Sequence, residues 1–256
     1  MMRLGGRSLH TITRAPFQPR HYRAALNMAR VYHHPLPVLY RYLSGAGKYP
    51  WDVPVRTPLG TVTPRVFSHA ALRTLNEIFC RLDYRVDDSP KVIVDIGSNV
   101  GLSALYFLTR NMQSLCYLFE PLTENVSRLE QNLAAFRGRY ILDTNAVADT
   151  DGMVEFGVES TGQYGGIGVR TGRSIQVRCR SINAVLEDVL RKESKIDLVK
   201  IDTEGAEERT ILAMNPRYLD RIGALYAEAR PGCALLSGRF SQEQDGEVVR
   251  LYNLTW

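Results

Sequence analysis

The run Val92-Ile93-Val94-Asp95-Ile96-Gly97-Ser98-Asn99-Val100-Gly101, continuing into Leu102–Leu108, constrains this chain more than any other stretch. A β-branched apolar segment ends at an acid, two glycines bracket a turn, and an apolar pattern of helical character follows. This is a strand, a tight turn and a helix start, the arrangement that brings bare backbone N–H groups up to a ligand at the carboxyl end of a strand. The rhythm repeats downstream. Leu115–Phe119 is a second strand, Thr123–Phe136 an amphipathic helix and Tyr140–Val147 a third strand. Val154–Val158 and Ile175–Cys179 form an antiparallel pair around the glycine-rich Gly162–Gly172. Ile182–Leu190 is a helix, Ile196–Ile201 a fourth main strand, Glu204–Met214 a helix and Ala224–Ala229 a fifth strand. Near-uniformly apolar strands alternating with helices predict a mostly parallel α/β sheet with helices on both faces.

The acids at the strand ends narrow the ligand. A dinucleotide fingerprint spaces its glycines GxGxxG and keeps acids away from the pyrophosphate. Here the glycines are four apart and Asp95 stands beside them, which suits a cationic or hydroxyl-rich ligand such as the amino-acid end of S-adenosylmethionine. The plain alternative is a glycine turn of an unrelated α/β protein. Glu120, closing the second strand, offers acceptors to both hydroxyls of a ribose, or else caps the helix that follows. In Lys200-Ile201-Asp202-Thr203-Glu204-Gly205-Ala206-Glu207, strand alternation puts Lys200 and Asp202 on one side. A lysine inside an apolar strand needs a partner. Glu204 and Glu207 stand at a helix start, where the dipole favours them. Asp202, Glu204 and Glu228 together form a candidate Mg²⁺ ligand set, or a group that takes a hydroxyl proton. Asp202 is the first choice for base. His69 is a weaker base candidate, and a cap or surface role explains it more simply. Thr161–Gly168 is a candidate lid in which Tyr164 stacks on a sugar ring, with a plain flexible connection as the alternative.

The amino-terminal part differs in kind. Residues 1–51 hold eight Lys or Arg and no Asp or Glu, giving +8 in a chain whose net charge is +5. Such an arm suits acidic lipid, a polyanion or an acidic partner face, and also resembles an organellar transit peptide. Ala24–Tyr32 is a helix broken by His33-His34-Pro35-Leu36-Pro37, and Tyr49–Val66 forms short strands or a hairpin. Leu72, Leu75, Ile78, Phe79 and Leu82 mark a helix over Ser68–Leu82 with Ser68 as its cap. A basic extension over 1–66 is thus expected ahead of a main domain over 67–256. Cys80, Cys116, Cys179 and Cys233 are scattered without CxxC spacing, which favours reduced buried thiols and a cytoplasmic setting. No apolar run approaches the length of a membrane span.

Val92–Leu108, Phe119-Glu120-Pro121 with Asn132, Asn145-Ala146-Val147-Ala148, and Leu198–Glu207 together resemble the FkbM-type methyltransferases over about residues 75–230. The resemblance implies a class I, Rossmann-like methyltransferase fold and S-adenosylmethionine as cofactor. Asp95, Gly97, Ser98, Asn99 and Gly101 would surround its methionine end. Glu120 and Pro121 would hold the ribose, and Asp143, Asn145 and Ala146 would lie near the adenine. Lys200, Asp202 and Glu204 would face the methyl group and acceptor. Residues 1–65 lie outside the resemblance and would select the acceptor or form a homodimer. The activity implied is O-methylation of a sugar or glycosylated small molecule, with carboxylate or Mg²⁺ assistance. Methylation of nucleic acid is the rival enzyme reading, weakened by the lack of an Asn-Pro-Pro-aromatic or Pro-Cys motif. A cofactor-binding interaction protein without turnover is the other alternative.

Overall fold

The computed structural model describes residues 3–4, 7–8, 19–86, 90–159, 165–169, 173–228 and 235–256. The lid residues up to Tyr164, Cys233 and Ala229 lie outside them. The chain divides between Arg85 and Val86 into two compact units.

The first unit carries helices Pro19–Val31 and Pro35–Ser44, a strand pair Trp51–Asp52 with Arg65–Val66, and a hairpin Val55–Thr57 with Gly60–Val62. The His33–Pro37 segment ends one helix and starts the next, because Pro35 at the first helical position needs no N–H partner. Ser68 caps helix His69–Asn76 by accepting from Ala71 N at 3.0 Å. The helix continues into a π-turn segment, Glu77–Arg81, and stops at Leu82 in left-handed backbone. Helix His69–Asn76 therefore belongs to this unit, whereas the sequence pattern grouped it with the main domain.

The second unit is built on β1 (Val92–Ile96), α1 (Leu102–Leu108), β2 (Leu115–Phe119), α2 (Thr123–Asn132), β3 (Tyr140–Asp143), β4 (Ala146–Ala148), β5 (Gly152–Val158), β6 (Gly165–Ile167) and β7 (Arg173–Ser181). There follow α3 (Ile182–Lys192), β8 (Ile196–Ile201), α4 (Glu207–Leu212), α5 (Pro216–Leu219), β9 (Ile222–Glu228), β10 (Phe240–Asp245) and β11 (Val248–Asn253). Seven strands form one sheet in the order β10-β11-β9-β8-β1-β2-β3. The five from β9 to β3 are parallel, and β11 and β10 run antiparallel at the edge. Chain order reverses between β8 and β1, so the ends of those strands open the crevice where open α/β sheets take ligands.

One face of the sheet, with Val94, Ile96, Val199, Ile201 and Leu225, packs on Val185, Leu186 and Val189 of α3 and on Ile211 of α4. Helix α3 repeats apolar residues at helical spacing, is capped by Ser181, and ends on Arg191 and Lys192, which complement its dipole. Every residue of α1 is buried, as a helix apolar all round requires.

Two sequence expectations are corrected. The predicted third strand over Tyr140–Val147 is two strands in two sheets. Asp143 and Asn145 turn the chain, and β4 joins a second sheet in the order β4-β7-β5-β6 around Leu122, Ala146, Phe156 and Cys179. The predicted helix Glu204–Met214 starts only at Glu207, because Glu204 and Gly205 both take positive φ. Strands β10 and β11 carry no expectation from the sequence, since Ser241–Asp245 is an unbroken polar run on the edge of the sheet.

Candidate active site

The lysine in the apolar strand finds its partners across the sheet. Register pairs Lys200 of β8 with Asp95 of β1. Both are buried, at 1% and 0% exposure. The ammonium lies 3.0 Å from Asp95 Oδ1 and 3.3 Å from Asp202 Oδ2, and it donates to Gly97 O at 2.8 Å. Ser103, the small polar residue on apolar α1, donates to Asp95 Oδ2 at 2.6 Å. Burial alone would push the Lys200 pKa down, but Asp95 and Asp202 outweigh it and hold the ammonium above its ordinary value. These contacts of the Lys200 ammonium tie the β1 turn to the β8 loop.

The turn itself corrects the first expectation drawn from it. Gly97 N and Ser98 N both donate to Phe119 O at 3.0 Å, Asn99 N donates to Glu120 Oε2 at 2.9 Å, and Gly101 N donates to Ser98 O at 2.8 Å. Ser98 Oγ donates to Asp95 O and accepts from Phe119 N, and Asn132 donates to Val100 O at 2.8 Å. These four N–H groups close onto β2 and onto the turn itself, so they form no anion cradle. Gly97 takes φ +75°, and a Cβ there would stand 1.8 Å from Asp202 O. The β8 loop approaches so closely that only glycine fits.

Glu120 is buried behind this turn. Its carboxylate accepts from Asn99 N, from Leu122 N at 2.9 Å and from Asn125 Nδ2 at 3.3 Å. The cap role weighed for it is therefore present, through Leu122. Burial pushes its pKa up to about 7 against these hydrogen bonds and the nearby Lys200. Pro121 beside it is half-buried, and Leu122 enters the second core.

Asp143 is held by Asn145 and by Arg180 Nη1 at 2.8 Å, and Ala146 is buried in β4. A cavity of about 350 Å³ opens here between β2, β3 and α3, lined by Phe119, Asp143, Thr144, Arg180, Val185 and Asp188 among others.

On the other side of the β8 loop, repulsion between acids outweighs the pull of Lys200. Glu204 has φ +57°, uncommon for a residue with a side chain. Its pKa is pushed up to about 7 by partial burial and by Asp202 and Glu207. Glu228, closing β9, is pushed up to about 8 by partial burial and by Asp202 and Glu204. Glu207 clamps the loop, accepting from Thr203 N at 2.7 Å and Gly205 N at 2.9 Å. Strand β6 packs on this loop: a Cβ on Gly166 would meet Glu204 O at 2.6 Å. Gly165 and Gly166 of the candidate lid thus serve close packing and pair with β5.

His69 lies in the first unit, where its Nε2 is 3.2 Å from Tyr42 O. Asp202, Glu204 and Glu228 do not make a Mg²⁺ set: among the described residues no three His, Cys, Asp or Glu side chains are grouped to hold a metal. The ammonium of Lys200 on the Asp202 carboxylate opposes a dication there. The sequence reading missed Ser103, Asn125 and Arg180. Ser103 stands out on the otherwise apolar α1, whereas Asn125 and Arg180 lie on elements rich in polar residues and carry no local signal.

Residues 95–228 match the family model described as the methyltransferase FkbM domain. The chain belongs to this family. With it come the class I Rossmann-like fold and dependence on S-adenosylmethionine. The chain is 24% identical over 194 residues to the AMB antimetabolite synthetase AmbE of Pseudomonas aeruginosa, a match over 60% of this chain that spans only 9% of that protein's length. Among solved structures, methyltransferase FkbM from Methylobacillus flagellatus is 13% identical over 97% of this chain and 63% of its own, with a TM-score of 0.45. TrmK of M. capricolum, solved with S-adenosylhomocysteine, is 16% identical over 72% of this chain and 69% of its own, with a TM-score of 0.36. Among the described residues no helix is long and apolar enough to cross a membrane.

Proposed function

We propose that this FkbM-family chain is an O-methyltransferase acting on a hydroxyl of a small-molecule acceptor, a sugar or glycosylated metabolite. The observation that carries the reading is the pair Glu204 and Glu228 at the carboxyl ends of β8 and β9. Their carboxyls titrate near neutrality, where a proton acceptor for a hydroxyl works best. When bound, S-adenosylmethionine supplies a methyl group already activated on a sulfonium, so the protein's work is alignment and proton management.

Glu120 is the residue we assign to the ribose. A carboxylate has about four acceptor positions, and three protein donors use three of them. The turn Gly97–Gly101, braced from below by Asp95, would meet the methionine end. Asp143, Asn145 and Ala146 would flank the adenine. Asp202 is oriented by Lys200, and Glu204 or Glu228 takes the acceptor's proton. No step is routed through Mg²⁺. The first unit, outside the matched residues, is assigned to acceptor selection.

Thermal unfolding with S-adenosylhomocysteine and with NAD tests the cofactor, and labelled S-adenosylmethionine with a panel of sugars and glycolipids tests the acceptor. We expect stabilisation by S-adenosylhomocysteine alone and label on a saccharide hydroxyl. No shift with S-adenosylhomocysteine, or label found only on nucleic acid, overturns the reading.

A further inference from the structure

The first unit shows an arrangement that its own core does not explain. Helix Pro35–Ser44 buries Val38 on one side and exposes Leu36, Leu39, Tyr40 and Leu43 on the other, at 76%, 38%, 66% and 60%. These fall at i, i+3, i+4 and i+7, a single apolar stripe turned to solvent. The helix packed beside it, Pro19–Val31, buries Ala24 and Met28 and exposes Tyr22 at 58% and Leu26 at 65%. Six of the fourteen exposed large apolar side chains among the described residues therefore fall within this one helix pair. Scattered exposed leucines need no explanation, but a clustered stripe does.

Charge identifies what covers it. Residues 1–51 carry eight Lys or Arg and no acid. Arg23 and Arg30 border the stripe on the first helix, and Lys48 follows the second. The helix pair itself holds four Arg and no acid, so pairing this face with a second copy would set +4 against +4. A nucleic acid would meet the cations but leave the leucines wet. A bilayer with anionic headgroups satisfies both at once, cations at the phosphates and Leu and Tyr at the acyl boundary. We infer that the helix pair Pro19–Ser44 is an interfacial anchor that seats the chain on an anionic lipid surface without crossing it.

The test is co-sedimentation of the full chain with vesicles of phosphatidylcholine alone or with a third phosphatidylserine, at about 0.05 and 0.5 M NaCl. We expect roughly tenfold more protein on the anionic vesicles at low salt, most of it released at high salt. The exposed-site variant L36E/L43E should fall to the phosphatidylcholine level with unchanged thermal unfolding. R23Q/R30Q, which keeps the apolar stripe, should lose several-fold of the anionic preference. Equal binding to both vesicles, full binding by L36E/L43E, or a dimer that L36E/L43E dissociates without any vesicle binding would each overturn the inference. So would salt-sensitive binding to RNA or DNA with none to anionic vesicles.

Discussion

Two groups of carboxylates stand at the carboxyl edge of one sheet and have opposite environments. Asp95 is fully buried and shares the Lys200 ammonium with Asp202, with Ser103 on its second oxygen. Glu204 and Glu228 sit one loop and one strand away, where desolvation and repulsion from nearby acids outweigh the pull of Lys200 and push them to about 7 and about 8. The first arrangement fixes charge and therefore fixes shape. The second leaves protons free to exchange near neutral pH. The same side-chain chemistry thus divides between architecture and reaction, and the divider is the one lysine.

Removing that lysine is the most severe way to break the contrast. Lys200→Met deletes the cation and leaves the Asp95 charge buried without its counter-ion. We expect a stability loss of about 3–5 kcal/mol in urea denaturation, because the penalty is the stranded charge rather than the lost attraction. The double variant D95N/K200M should recover most of it, since the stranded charge is gone and Ser103 keeps an acceptor. A loss under about 1 kcal/mol in Lys200→Met would mean that the buried ion pair does not brace the turn.

The rim should respond in rate instead of stability. Glu204→Gln and Glu228→Gln are expected to lower kcat by about a hundredfold or more, with S-adenosylhomocysteine affinity and thermal unfolding close to the parent. The two carboxyls interact, so the acid limb of the pH–rate profile belongs to the pair. Its apparent midpoint should lie between about 7 and 8 in the parent and move down in Glu228→Gln, which loses the higher-titrating member. An unchanged profile in both variants would remove these residues from the chemistry and return the role to Asp202.

Much of this division was legible from residue order. The strand–turn–helix over Val92–Leu108, the strand Ile196–Ile201 and the cap at Ser68 follow from apolar period and local hydrogen bonding, which act over a few residues. Lys200 was marked as needing a partner because an unpaired ammonium in a strand is so costly. What escaped depended on contacts between distant segments. The turn's N–H groups looked bare because Phe119 O and Glu120, about twenty residues on, are invisible to a local pattern. Tyr140–Val147 looked like one strand because a change of sheet leaves the apolar run intact. Gly165 and Gly166 suggested mobility, yet their lack of a side chain admits Phe156 and the Glu204 backbone. The acid rim suggests a metal set because composition alone cannot tell that Asp202 faces Lys200.

The mildest effect separates the two carboxylate groups without any mutation. Glu120, Glu204 and Glu228 all titrate above the ordinary value of 4.5, at about 7, 7 and 8. The folded chain therefore holds protons at these sites that the unfolded chain has released. Their contribution is fully present below about 4.5 and is lost as pH rises through about 7 to 8. Buried Glu120 should carry the larger share, on the order of 1–3 kcal/mol, while the more exposed rim acids add less because solvent screens them. Urea midpoints should accordingly be higher at pH 5.5 than at pH 8.5. Glu228→Gln should flatten the upper end of that slope. D95N/K200M should carry the slope to higher pH, because the ammonium that holds all three acids down is gone. A midpoint that rises toward pH 8.5 would show that the rim acids are ionised throughout, and the contrast with the Lys200 site would then be one of position only.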